Sequence, residues 1–144
     1  VFANTNFENI IFNSKINEGL IDIDNTKFKW NDYINFEISD SLIFVKNDEL
    51  TLDANLQINI IDDNKFFKFL VTPKKYRKKI KKINLNLVYN FDQNTADLTE
   101  IRINDKLNKK VNIILNNLSL KLNNLHNKIY FKNLLNDALK AYEG

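Results

Sequence analysis

The sequence contains no cysteine and no methionine, and it has only two glycines, one proline and one histidine. Without cysteine, the chain can form neither disulfide bonds nor thiolate metal sites. Gly19 and Gly144 stand far apart, so no glycine-rich loop can cradle a phosphate group. His126 lacks a second histidine with which to share a metal, which favours a solvated loop residue over a ligand. We therefore expect neither a metal site nor a cofactor.

Long apolar runs are also missing. No stretch approaches the roughly 18 apolar residues that a transmembrane helix requires. The chain does contain 44% hydrophobic residues over 144 positions, which is enough for the core of one domain. Its net charge of +3 is too small to indicate nucleic-acid binding by itself. Because the sequence starts at Val1 rather than at methionine, we expect it to be a fragment of a longer protein.

The turns must come from asparagine and aspartate, because both residues tolerate the left-handed backbone region. The candidate turns are Asn31-Asp32, Asn47-Asp48, Asp62-Asp63 and Gln93-Asn94. Between them, apolar and polar residues alternate, most clearly over residues 49–61, as expected of strands with one apolar face. Over residues 33–45, Ile34, Phe36 and Ile38 lie on one face, followed after Asp40 by Leu42 and Phe44. A bulge near Asn25 would explain a change of face between residues 20 and 30.

These patterns predict a mainly β protein with α: a long antiparallel β-meander of five to six strands, a short helical insert and two C-terminal helices. The insert, near 63–79, is indicated by apolar residues at helical spacing behind Asp63, a suitable N-cap, and Pro73 would end its first helix. We expect residues 1–105 to form the sheet region with its insert. Residues 106–144 are expected to form a helical tail that packs on the sheet within the same domain.

Few residues suggest catalysis. A Ser-His-Asp triad would have to combine His126 with one of three serines, none of which lies on a nucleophile elbow. Those serines are Ser39, Ser41 and Ser119. Asp22 and Asp24 could hold a hard cation or act as an acid–base pair, but the polar face of a strand is the favoured interpretation. The protein is therefore not expected to be an enzyme.

The sharpest local feature is a basic segment that carries seven cations within residues 73–82. The seven are Lys74, Lys75, Arg77, Lys78, Lys79, Lys81 and Lys82. Three interpretations remain open: a solvated connection between strands, contact with an anionic lipid surface, and nucleic-acid binding. Nucleic acid is disfavoured because acidic residues are spread along the chain and no exposed aromatic stacking motif is evident.

Two segments, Phe7-Glu8-Asn9 and Gly19-Leu20-Ile21-Asp22-Ile23-Asp24, resemble the C-terminal region of AsmA-like proteins of Gram-negative bacteria. Repeats of that family open with Phe-x-Asn and continue with a glycine followed by alternating apolar residues. The strand that begins at Glu49 and the segment from Leu70 to Arg77 resemble the family as well. The resemblance covers roughly residues 6–105, although the family is typically richer in glycine at strand ends.

The resemblance implies a periplasmic protein that is anchored to the inner membrane by a segment absent from this sequence. It also implies a non-catalytic β-groove with a role in phospholipid transport or outer-membrane assembly, and phospholipid or other envelope proteins as partners. Seven residues match the strands that would line the groove. They are Leu50, Leu52, Leu56, Ile58, Leu85, Leu87 and Tyr89.

Two alternatives remain open. In the first, the chain is a structural or protein-interaction domain whose apolar face is its own core, covered by the terminal helices. In the second, the basic segment binds nucleic acid.

Overall fold

The computed structural model describes residues 7–30, 32–119 and 128–144. In these residues nine strands form one sheet in which every neighbouring pair is antiparallel. The strands are β1 (Phe7–Ile11), β2 (Lys15–Asn17), β3 (Leu20–Asp22), β4 (Lys27–Trp30), β5 (Ile34–Lys46), β6 (Glu49–Ile60), β7 (Lys82–Asn90), β8 (Thr95–Ile103) and β9 (Lys106–Leu107). The predicted fold class, a long antiparallel sheet with a helical insert and C-terminal helices, is confirmed.

The strand count exceeds the predicted five to six because two long rows are interrupted. β3 and β4 pair with successive parts of β5, and β2 and β1 pair with β3 and β4 in turn. The break between β3 and β4 contains Asn25 at φ 61°, where the sequence predicts a bulge. Six rows of strands therefore make up the meander, and the short β9 extends it past residue 105.

Asparagine and aspartate form several of the turns, as predicted, but the connection between β2 and β3 consists of Glu18 and Gly19, with φ angles of 52° and 81°. Asn47 and Asp48 adopt positive φ angles of 52° and 63° in the two-residue connection between β5 and β6, as such a hairpin requires. Asn94 also has a positive φ between β7 and β8. Asn104 and Asp105, at 51° and 64°, form a similar turn before β9 that the sequence analysis did not predict. Asn31 of the predicted Asn31-Asp32 turn lies outside the described residues.

The helical insert lies within the predicted range. Helix α1 (Asp63–Leu70) is capped by Asp62, one residue before the predicted cap, whose carboxylate accepts the Lys65 amide at 3.0 Å. α1 ends where Val71 turns left-handed at φ 60°, and a single 3-10 turn follows at Lys74–Tyr76. The backbone of Arg77 is extended, and no further helical turn forms before β7.

Helices α2 (Lys109–Ser119) and α3 (Lys128–Ala141) form the predicted tail. Together with α1 they pack on one face of the sheet and share a single core with it. Ile83 and Ile101, both fully buried, lie at its centre. Asn112 of α2 fastens that helix to the sheet, since its side chain accepts the Ile101 amide at 3.0 Å and donates to the Ile101 carbonyl at 2.9 Å.

Candidate functional site

The seven residues predicted to line a groove lie on one face of the sheet. In the register of β6 and β7, Leu52 is opposite Tyr89 and Leu56 is opposite Leu85. Directly opposed residues of antiparallel strands point to the same side, and alternate residues of one strand share that side. The remaining members of the set follow by alternation, so the predicted apolar face exists as one surface.

Half of this face is covered. Ile58 and Leu85 are each 1% exposed, and Leu56 packs against the same core. The three helices lie over this proximal half, at the end where β6 finishes and β7 begins. These three residues therefore serve as core residues of the domain.

The other half of the face is exposed to solvent. We name it the distal apolar face and define it by residues of β2, β3, β5 and β6. They are Ile16, Ile21, Ile43, Val45, Leu50 and Leu52. Ile16 is 75% exposed, Val45 68% and Leu50 40%, while the other three are half-buried. Leu87 and Tyr89 continue the surface onto β7. Both are half-buried, and Leu87 also packs against the core, so it marks the boundary between the two halves.

The residues of the distal apolar face are contiguous. Val45 lies opposite Leu50 and Ile43 opposite Leu52, so their β-carbons approach within about 4.5–5.5 Å. Ile21 in turn lies opposite Ile43. Single exposed apolar residues are ordinary on protein surfaces, whereas contiguous apolar patches mark binding sites.

Two of these residues, Ile43 and Val45, could not be assigned to this face from the sequence because of a bulge in β5. Unbroken alternation through Asp40 would keep Leu42 and Phe44 on the apolar face, but the register shifts between Ser39 and Leu42. Leu42 consequently lies opposite Asp53 on the polar face, and Ile43 takes its place. Asp40 has a positive φ of 48° at the bulge. An aspartate that interrupts a run of apolar residues was the one feature of the sequence that could have indicated the bulge.

The basic segment lies at the opposite end of the sheet. Lys82 is opposite Asn59, seven residues along β7 from Tyr89, which corresponds to about 23 Å at about 3.3 Å per residue. Lys82 forms an ion pair with Asp105 at 2.8 Å. The structure therefore does not bring the basic segment and the distal apolar face into one site.

The six other cations of the basic segment fall into two groups. Arg77 donates to the Thr72 carbonyl at 2.8 Å, and Lys78 donates to the Glu143 carbonyl, so both tie the segment to the fold. The other group is exposed and consists of Lys74, Lys75, Lys79 and Lys81. All four side chains are accessible from solvent.

The candidate acid–base residues have a structural setting. One Asp24 carboxylate oxygen accepts both the Ser41 amide at 2.7 Å and the Ser41 hydroxyl at 2.6 Å. The Ser41 oxygen accepts the Ile23 amide at 2.9 Å, and an Asp22 oxygen accepts the Asp24 amide at 2.8 Å. This network ties the bulge of β5 to the break between β3 and β4.

The remaining candidates for a catalytic triad cannot be assembled from the described residues. His126 lies outside the described residues, as does the side chain of Ser119. Within the described part of the chain, no three His, Cys, Asp or Glu side chains come close enough to hold a metal ion.

Across residues 7–30, 32–119 and 128–144, none of the helices combines the length and the hydropathy needed to cross a bilayer. Comparison with known proteins adds no relatives, since no family model, no curated protein and no solved structure matches the chain.

Proposed function

We propose that this chain is a non-catalytic lipid-binding segment of an AsmA-like envelope protein and that its distal apolar face holds phospholipid acyl chains. The observation that carries the proposal is an apolar strand face only half covered by the helices of the domain. On the exposed half, Ile16, Val45 and Leu50 each present 40% or more of their surface to solvent. From β2 to β7 this face spans four strand spacings, about 19 Å at about 4.8 Å each, enough for a long acyl chain to lie across it.

The resemblance to AsmA-like proteins supplies the setting of the proposal. It implies a periplasmic chain behind an inner-membrane anchor, with a role in phospholipid transport or outer-membrane assembly. In this setting the four exposed lysines of the basic segment contact anionic lipid head groups. Each cation near such a surface contributes up to about 1 kcal/mol of attraction.

One observation favours the structural alternative instead. Ile58 and Leu85, two of the predicted groove residues, are sealed in the core. If the exposed half is likewise a contact surface for protein, the chain is an interaction domain with no lipid ligand. Recovery of phospholipid from the purified protein distinguishes the lipid-binding function from the protein-interaction function.

The decisive experiment is extraction of the purified protein followed by mass spectrometry, together with titration of a fluorescent phospholipid. The double substitution Val45→Asn with Leu50→Asn removes two exposed aliphatic side chains from the distal apolar face. We expect at least tenfold weaker binding, since tenfold corresponds to about 1.4 kcal/mol and burying an aliphatic side chain contributes about that amount. The matched control is Leu42→Asn, an exposed apolar residue of β5 on the other face, which should bind as the unmodified protein does.

Recovery of no phospholipid, together with no saturable binding of the fluorescent lipid, would refute the lipid-binding function. Equal loss in the Leu42→Asn control would refute the assignment to the distal apolar face.

The basic segment has a separate test. Replacing Lys74, Lys75, Lys79 and Lys81 by glutamate should abolish sedimentation with vesicles that contain anionic lipid, while titration of the fluorescent phospholipid stays unchanged. Vesicles of zwitterionic lipid serve as the control. Unchanged sedimentation with anionic vesicles would leave the segment as a solvated connection, and salt-dependent binding of DNA or RNA would favour the nucleic-acid alternative.

A further inference from the structure

Residues 7–17 form one outer edge of the sheet. β1 pairs with β4 alone and β2 pairs with β3 alone, so neither strand has a second neighbour among the described residues. Three large apolar side chains are exposed along this edge: Ile10 is 62% exposed, Phe12 64% and Ile16 75%. An edge with unpaired backbone groups and exposed apolar side chains is a template for pairing with another strand.

The backbone of this edge presents its free groups at alternate residues. Both backbone groups of Asn13 face inward, because its amide donates to the Thr26 hydroxyl and its carbonyl accepts from that hydroxyl, each at 3.3 Å. The last residue of β2 faces inward as well, since it flanks the two-residue turn to β3. Hydrogen-bonding direction alternates along a strand. The residues that point their backbone groups outward are therefore Phe12, Ser14 and Ile16.

These outward-facing positions lie on the apolar side of the sheet. Ile16 belongs to the distal apolar face, and alternation places Phe12 and Ser14 on the same side. Ile11, at the end of β1, is opposite Lys27 on the polar side, which agrees with that alternation. A half-turn about an axis beside Phe12, perpendicular to the sheet, therefore sets the edges of two copies antiparallel with their apolar sides together.

The edge is self-complementary under this half-turn. Phe12 lies opposite Phe12 of the other copy, and on either side of the axis Ile10 lies opposite Ser14. Because these positions face outward, each pair can exchange its backbone hydrogen bonds. The extra residue in the bulge of β1 then shifts the register by one and sets Glu8 opposite Lys15. Opposite charges across neighbouring strands are stabilising, and the symmetry provides this pair twice.

The helices leave room for the contact. They lie over the proximal half of the sheet, and the half-turn places the proximal half of each copy beside the uncovered distal half of the other. Strand β9, with helix α2 after it, is at the opposite end of the strand order from β1. No described element therefore occupies the space that the second copy takes up.

We propose that two copies of this chain pair edge to edge through residues 8–15, as a two-fold dimer with Phe12 at the axis. A second copy is the occupant that fits, because the apolar and charged positions of the edge match when the same segment is reversed. The contact is isologous, so it closes on itself and gives a dimer instead of a growing chain of copies. One short strand pair buries little surface, so the dimer is weak and depends on concentration.

The sharpest test is a cross-link through one introduced cysteine, since the chain has none of its own. Residue 12 is opposite itself across the axis, where hydrogen-bonded α-carbons are about 5.5 Å apart, a separation that a disulfide spans. Phe12→Cys should therefore form a covalent dimer on mild oxidation of the whole chain.

Ser14→Cys is the matched control, because Ser14 is exposed and faces outward on the same edge. Its two copies are four residues apart along the edge, about 13 Å at about 3.3 Å per residue, so it should not cross-link alone. An equimolar mixture of Ser14→Cys and Ile10→Cys should form the heterodimer, since these two positions are opposite each other.

Sedimentation velocity measures the association without a cross-link. We expect a species heavier than the 17.0 kDa monomer to grow with concentration and to stop at the dimer. Phe12→Asp should weaken association at least tenfold, because it places two carboxylates opposite each other at the axis. Leu107→Asp is its control, since Leu107 is 53% exposed on β9 at the other edge of the sheet. Far-UV circular dichroism should show that both variants fold.

A sample that sediments as the monomer at every concentration would overturn the proposal. So would a Phe12→Cys variant that cross-links no faster than Ser14→Cys, or an equal loss of association in Leu107→Asp. Species that grow beyond the dimer would refute the two-fold contact. Phospholipid binding is not required for any of these outcomes.

Discussion

Ser41 ties the bulge of β5 to the neighbouring strand row, and its hydroxyl makes two buried contacts at once. It donates to Asp24 at 2.6 Å and accepts the Ile23 amide at 2.9 Å, while Ser41 itself is 6% exposed. Ser41→Ala removes both bonds and leaves the amide of buried Ile23 without an acceptor. An orphaned buried donor costs about 1–3 kcal/mol and a hydrogen bond to a charged group contributes about 1.5–3 kcal/mol. Since the carboxylate keeps its bond to the Ser41 amide, we expect a total loss of about 3 kcal/mol.

Thermal and urea unfolding measure this loss. For a chain of this size, about 3 kcal/mol corresponds to a fall in Tm of about 10 °C. Ser39→Ala is the matched control, because Ser39 lies on the same strand just before the bulge and is half-buried. That control should stay within about 0.5 kcal/mol of the unmodified protein. If Ser41→Ala were as stable as Ser39→Ala, the network would have no part in holding the bulge.

Three further predictions concern local structure. Val71 is a β-branched residue at a left-handed helix end, so Val71→Gly should raise the free energy of unfolding by about 0.5–1 kcal/mol, whereas Val45→Gly in a strand should lower it by about 1 kcal/mol. Asn112→Ala should lower it by about 1–2 kcal/mol in urea unfolding, because the helix α2 loses its bonds to the backbone of β8. The hydrogen bond from Lys110 holds the pKa of Glu143 below its ordinary value of 4.5. Lys110→Gln should therefore return that pKa towards 4.5, as measured by carboxyl NMR titration.

Each of these predictions has a contradicting result. A Tm that falls in Val71→Gly would show that the left-handed position carries no strain. Unchanged hydrogen exchange at β8 in Asn112→Ala would show that the helix does not protect that edge. For Glu143, a pKa lowered on folding means that stability is present above the unfolded-state pKa and is lost as the pH falls through the folded-state value. Lys110→Gln should remove this acid-side dependence, and its persistence would assign the pKa shift to another group.

Sequence periodicity located the strands wherever every second residue is apolar and the residues between them are polar. Residues 49–61 alternate without interruption, and β6 spans Glu49–Ile60. In the second half of β5 the same rule fails, because Leu42, Ile43, Phe44 and Val45 are all apolar and either parity can face the core. The choice is made by the contact between Ser41 and Asp24, 17 residues apart in the chain. Such a contact leaves no trace in local periodicity. The residues that β5 contributes to the distal apolar face, Ile43 and Val45, could therefore not be predicted from the sequence, whereas Leu50 and Leu52 of β6 could.

The distal apolar face is exposed because the strands are longer than the helices that cover them. β6 has 12 residues and extends over about 40 Å at about 3.3 Å per residue, whereas α3 has 14 residues and extends over about 21 Å at about 1.5 Å per residue. A helix of ordinary length therefore covers about half of a strand of this length when the two lie parallel. The sequence already contains this mismatch, although it does not indicate which end of the strands stays open. Tertiary packing of α1 and α3 near the end of β6 determines that.

The positions of the two surfaces constrain how the proposed activities combine. The exposed lysines lie where β7 begins, and the distal apolar face lies about 23 Å away along the strands. If the basic segment rests on an anionic membrane, lipid on the distal apolar face is held beyond the reach of that bilayer. Transfer of the lipid then requires an apolar surface that continues past this chain.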